Sequence, residues 1–157
     1  MALNVLEGHF NSANHNFAIV AARFNQAVVD RLVEGALEGL RKHNVADKNI
    51  TVVRVPGSFE IPLIAHKLAI SGKFSAIICL GAVIKGETDH YDQVAGATTN
   101  GIAGISVQTG VPLIFGVLTC DTLEQAINRS GAKAGNKGFE AALSAIEMAD
   151  LISKLPK

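Results

Sequence analysis

Four short, almost wholly apolar runs, separated by longer amphipathic stretches, constrain this chain more than any other feature. Phe17–Ala22 (FAIVAA), Ile50–Val55 (ITVVRV), Ser75–Ile84 (SAIICLGAVI) and Pro112–Leu118 (PLIFGVL) are of strand length and rich in branched residues. Between the first two, Gln26–His43 repeats Val29, Leu32, Val33, Ala36, Leu37 and Leu40 at helical spacing. Phe59–Ser71 reads as a second helix, with Pro62 tolerated in its first turn and Gly72 closing it. Asp92–Thr109 is a long helix of small residues stopped by Gly110. Asp121 is expected to cap a short helix, Thr122–Ser130, with Glu124 completing a capping box, and Asn136–Ser153 forms the last helix. Near-continuous apolar strands alternating with helices predict a parallel sheet covered on both faces. The expected fold class is α/β, a three-layer α/β/α sandwich with a four-stranded parallel sheet. Met1–Gly8 alternates apolar and polar residues and could add an N-terminal edge strand, to this sheet or to a neighbour's.

In open α/β sheets, ligands bind beyond the carboxyl ends of the strands. The loops to inspect are therefore Arg23–Asn25, Gly57–Glu60, Lys85–His90 and Thr119–Asp121. Lys85–His90 is the richest: Gly86 would let the backbone approach a ligand, Thr88 offers a hydroxyl, and His90 offers an imidazole that could move a proton. The helix start that follows suits a phosphate. Each residue also has a plainer role. Thr88 or Asp89 could cap the helix, His90 could be a surface residue, Phe24 and Phe59 could pack in the core, and Glu60 could complement its own helix dipole.

The 157 residues fit one domain, 1–157. Hydrophobic residues make up 48% and charged ones 18%, so covered sheet faces, subunit interfaces or both must hide apolar surface. Lys+Arg and Asp+Glu both number 14, which gives no basic excess for nucleic acid or an anionic membrane. No apolar run approaches the roughly 20 residues of a membrane span. Met1–Phe10 lacks the features of a signal peptide, and Cys79 and Cys120 read as reduced, buried thiols, so the expected location is cytoplasmic. No G-x-G-x-x-G follows a strand, metal-ligand clusters are missing, and Gly131–Gly138 (GAKAGNKG) is only superficially a phosphate loop.

Several ordered motifs resemble the lumazine synthase (6,7-dimethyl-8-ribityllumazine synthase) family over nearly the whole chain. They are Ala22–Asn25 (ARFN), Val55–Pro62 (VPGSFEIP), Leu80–His90 (LGAVIKGETDH), Phe115–Thr119 (FGVLT), and Glu124–Ile127 through Arg129 to Gly131–Gly138 and Glu140–Ala142. The resemblance implies a flavodoxin-like fold and a transferase of riboflavin biosynthesis. Such an enzyme condenses 5-amino-6-(D-ribitylamino)uracil with 3,4-dihydroxy-2-butanone 4-phosphate, with no metal or redox cofactor. By the same resemblance, Phe24 stacks on the pyrimidine. Ser58, Phe59 and Glu60 hold the ring edge and ribityl chain, the backbone of Ala82, Val83 and Ile84 reads the pyrimidine, and His90 is the general acid/base. Glu87 and Thr88 lie on the phosphate side. Phe115 covers the ring and Arg129 pairs with the phosphate, both from the adjacent subunit, with Lys137 as a further phosphate ligand.

The family resemblance also implies a homopentamer. The link from Ser130 to Asn136 is short, without the insertion that resembles pentamer-only or decameric members, so the resemblance implies an icosahedral shell of sixty subunits, with riboflavin synthase as a candidate partner. Two alternatives from other classes are a flavin-binding module and a catalytically silent, capsid-like container.

Overall fold

The central strand β1 (Phe17–Ala22) is buried at all six positions. Strand alternation sends Phe17, Ile19 and Ala21 into one core and Ala18, Val20 and Ala22 into a second core on the opposite face. This computed structural model describes residues 2–133 and 135–157; Met1 and Ala134 lie outside the described residues. The strands β2 (Ile50–Val55), β3 (Ala76–Ile84) and β4 (Leu113–Cys120) join β1 in one parallel sheet ordered β2-β1-β3-β4. Helices α1 (Gln26–Lys42) and α5 (Lys137–Lys154) cover the first core with the short α4 (Leu123–Arg129). Helices α2 (Ile61–Ile70) and α3 (His90–Thr109) cover the second. The expected three-layer α/β/α sandwich is what forms.

Small residues let these layers approach closely. In α5, Ala142 and Ala145 pack against the α1 face of Leu32, Ala36 and Leu40. Gly138 sits so near α1 that a side chain there would meet the Leu32 carbonyl. Overpacking of that kind typically costs about 1–3 kcal/mol. Each fully buried branched side chain, such as Ile19, Ile78 or Ile146, contributes roughly 1.5–3 kcal/mol on the other side.

The chain leaves β1 toward β2 over one face and steps from β3 to β4 over the other. Uniform crossover handedness requires the faces to change in this way when the direction reverses. Adjacent β1 and β3 therefore have connections that diverge, and a crevice opens beyond their carboxyl ends.

Several local expectations shift. Residues 2–8 form no strand and do not join the sheet of their own chain. Strand β2 is not covered on both faces: it is an edge, with Thr51, Val52 and Arg54 exposed. The cap of α4 lies one residue later than expected. Thr122, not Asp121, caps α4, its hydroxyl accepting from the Gln125 N–H at 3.2 Å, while Gln125 Oε1 accepts from the Asp121 N–H at 2.8 Å. Helix α3 begins at His90 rather than Asp92, and β4 runs on through Thr119 and Cys120. Among the described residues, no helix is long and apolar enough to cross a membrane.

The N-terminal segment is instead laid along α5. The His9 N–H donates to Asp150 Oδ2 at 2.7 Å, and Lys154 Nζ bridges Asp150 at 2.8 Å and the Glu7 carbonyl at 3.1 Å. Gly8 is required here, because a side chain would meet the Glu147 carbonyl. Lys154 first, and His9 second, hold the Asp150 carboxyl below its ordinary range. A depressed carboxyl contributes stability when charged, above the ordinary carboxylate range near pH 4, and loses it as pH falls through the folded value. The Tm of Asp150→Asn should thus fall below wild type at pH 7, and the gap should close as the pH is lowered below about 4. A gap independent of pH would show that the carboxylate charge does not hold the arm.

Candidate functional site

At the β1/β3 crevice, the backbone itself carries the first aromatic into place. Beyond the strand ends, the Arg23 N–H donates to the Val55 carbonyl at 2.7 Å and the Phe24 N–H to the Pro56 carbonyl at 3.0 Å. The β1–β2 ladder therefore continues into the loops and sets Phe24 beside Pro56-Gly57. Asn25 then turns left-handed, with φ 63° and ψ 43°, and starts α1. Asparagine is among the few residues that tolerate this conformation. Its amide donates to the Ala82 carbonyl at 2.7 Å, tying the β1 loop across to the end of β3.

The second wall is a 3₁₀ turn, Ser58–Glu60, at the entry to α2. Ser58 is buried, and its hydroxyl fills the space above Gly81, where any side chain would collide with it. Glu60 occupies the N-cap position of α2 without a side-chain capping bond, which leaves its carboxylate for the cleft. The third wall is the first turns of α3. The three walls enclose a cleft of about 590 Å³ lined by Phe24, Pro56–Glu60, His90, Gln93 and Val94.

Phe24 is 73% exposed and Phe59 60% exposed, so neither is a core residue. Two aromatics left in water at the rim of a mostly apolar cleft suit a flat, hydrogen-bonding ligand held between a ring face and a few polar groups. Of the residues singled out in the sequence, the structure brings Phe24, Ser58, Phe59, Glu60 and His90 together here. His90 is the first residue of α3, with its N–H 3.4 Å from the Thr88 hydroxyl. That contact is too long for a firm cap, and Asp89, at the N-cap position, makes no side-chain capping bond.

Ala82, Val83 and Ile84 are not part of the lining; they lie one step behind it. β1 pairs with β3 only as far as Leu80, and Lys85 N–H donates to β4 at the Cys120 carbonyl. Peptides of a parallel strand face alternate neighbours. The Ala82 and Ile84 peptides thus face the crevice, where Asn25 takes the Ala82 carbonyl. Glu87 and Thr88 are exposed in the loop before α3 and outside the cleft lining. Gly86 has open space where a side chain would be, so close approach to this chain does not explain it.

Phe115, Arg129 and Lys137 stand apart. β3 separates β4 from β1, and Phe115, 36% exposed, pairs with Cys79 in mid-strand. Arg129 ends α4 and Lys137 begins α5; both border a separate hollow with Val117–Cys120, Gln125 and Glu140. The α5 N-terminus offers little to an anion, because Asn136 Oδ1 already accepts from the Gly138 and Phe139 N–H groups at 2.8 and 3.1 Å. Burial raises the Cys120 thiol above its ordinary value, with Arg129 opposing the shift, and drives Cys79 up to about 12. Both cysteines are free thiols.

Sequence reasoning gave no role to Asn25, Gln93 or Val94. The last two could have been found from His90, since residues three and four positions on share its helix face. The Asn25 clasp spans 57 residues and leaves no local trace.

A family model described as 6,7-dimethyl-8-ribityllumazine synthase matches residues 14–153, a span that contains both the cleft and the Arg129–Lys137 hollow. The chain belongs to the 6,7-dimethyl-8-ribityllumazine synthase family.

Proposed function

We propose that residues 1–157 form a single-domain transferase. It condenses 5-amino-6-(D-ribitylamino)uracil with 3,4-dihydroxy-2-butanone 4-phosphate to 6,7-dimethyl-8-ribityllumazine, phosphate and water. The observation that carries this reading is the cleft at the β1/β3 switch, where Phe24, Ser58, Phe59, Glu60 and His90 converge inside the span of the family match. The pyrimidine stacks on Phe24, its edge meets the peptides near Ala82–Ile84, and the ribityl hydroxyls bond to Ser58 and Glu60. The 5-amino group attacks the ketone and water leaves, giving an imine. Phosphate is eliminated, and attack by the ribitylamino nitrogen closes the ring with loss of a second water. His90 carries protons between these steps. Holding two reactants side by side is itself worth up to about 7–11 kcal/mol of barrier.

The distance between the cleft and the Arg129–Lys137 hollow within one chain supports a site shared between adjacent subunits, with Arg129, Lys137 and Phe115 supplied by the neighbour. The exposed Leu3, Val5 and Leu6 and the open β2 edge leave surface for such contacts. A cytoplasmic homopentamer, stacked into an icosahedral shell, is the assembly this reading favours. The test is lumazine formation, followed by its fluorescence, from the two named substrates on protein sized by light scattering. Product from a pentamer or larger is expected. A folded, assembled protein that forms no product overturns the reading and favours a flavin-binding module, which flavin titration would reveal, or a container.

A further inference from the structure

The geometry points to Thr98 as a positioning residue for this cleft: a buried hydroxyl that sets the distance between the His90 helix and the Ser58–Glu60 turn. The inference rests on the proposed reaction and adds a residue that never touches the substrates. His90, Val94 and Thr98 are spaced by four along α3 and share one face. The first two line the cleft; Thr98 lies one turn deeper, fully buried and outside the lining.

Its hydroxyl lies 2.7 Å from the Val94 carbonyl, the ordinary back-bond of a helical threonine, and 3.1 Å from the Ser58 carbonyl on the opposite wall. One proton serves one carbonyl at a time, so the hydroxyl is shared between helix and turn. The Ser58 carbonyl also accepts from the Ile61 N–H, where the 3₁₀ turn passes into α2. Thr98 is thus the side chain that hydrogen-bonds the polar wall of the cleft to the helix that carries His90. The Ser58 side chain, wedged over Gly81, fixes the same turn from the other side.

Replacing the hydroxyl by a methyl group changes this spacing by a known amount. Carbon–oxygen contacts settle at about 3.3–3.6 Å, so Thr98→Val pushes the Ser58 carbonyl out by a few tenths of an ångström. Reaction geometry is sensitive on that scale, a 1 Å error costing about 10²-fold. Thr98→Val should lower kcat about three- to tenfold at saturating substrates, and Thr98→Ser, which keeps the hydroxyl, should recover most of it.

Two controls separate positioning from simple destabilisation. Ile102→Val trims the next buried position of the same helix, away from the cleft, and should lower Tm comparably while leaving kcat near wild type. Hydrogen–deuterium exchange of residues 57–60 in the substrate-free protein should quicken in Thr98→Val and not in Ile102→Val. Equal kcat in Thr98→Val and wild type, no rescue by serine, or an equal kcat loss in Ile102→Val would each overturn the inference. Wild-type protein that makes no lumazine would remove the proposed reaction. The exchange comparison would still decide whether Thr98 holds the turn: selective quickening supports it, and unchanged exchange overturns it.

Discussion

His90→Ala should lower kcat about 10²-fold or somewhat more while leaving lumazine formation detectable. The size follows from what a single proton carrier contributes, typically 10²- to 10⁴-fold, and from what it does not contribute. On the proposed reaction, stacking on Phe24, the polar contacts of Ser58 and Glu60, and the juxtaposition of two substrates would all survive the substitution, and they would carry a large share of the acceleration. Because His90 is exposed at the first position of α3, the fold should be unaffected. Steady-state kinetics at saturating concentrations of both substrates, with Tm as a control, make the check. An unchanged kcat would remove His90 from the chemistry. Complete loss in a folded protein would mean that His90 also builds the site, for instance by ordering the loop from Lys85 to Asp89.

The sequence made the sheet legible because each strand is a distinct apolar run and each helix has its own period. All four strands and the helix expected over residues 26–43 appear within one or two residues of where the pattern places them. What it could not show is decided by tertiary partners. Val52 looks like a core residue in a branched run, yet β2 is an edge strand and leaves it 40% exposed. Phe24 and Phe59 taken alone suggest packing, and only the continued ladder past Ala22 and Val55 shows that they stand at a rim. Local chemistry misplaced the α4 cap by one residue because Asp121, Thr122, Glu124 and Gln125 offer two overlapping capping boxes, and backbone geometry chooses Thr122. Phe24, Ser58, Phe59, Glu60 and His90 were legible together through the family's motifs, but Gln93 and Val94 were not, and the bonds that hold the walls, Asn25 to Ala82 and Thr98 to Ser58, link positions 57 and 40 residues apart.

Arg129→Ala should raise KM for the sugar phosphate about 10- to 100-fold, with a much smaller effect on KM for the pyrimidine. A hydrogen bond to a charged group is worth roughly 1.5–3 kcal/mol, and a guanidinium fork grips phosphate through two of them. Lys137, in the same hollow, would retain part of the attraction as a point charge. An unchanged KM for the sugar phosphate would remove Arg129 from the phosphate site. The stronger consequence concerns which chain the arginine serves. Within one chain, Arg129 and His90 line different hollows, on opposite sides of β3. If adjacent copies complete the site in a head-to-tail ring, His90→Ala and Arg129→Ala subunits mixed in equal amounts create some interfaces with both residues intact. Random mixing makes about one interface in four of this kind, so the mixture should regain about a quarter of wild-type activity at limiting sugar phosphate. Two nearly inactive variants would together be far more active than either alone. A site confined to one chain predicts only the average of the two variants, because no arrangement of subunits could then reunite His90 with Arg129.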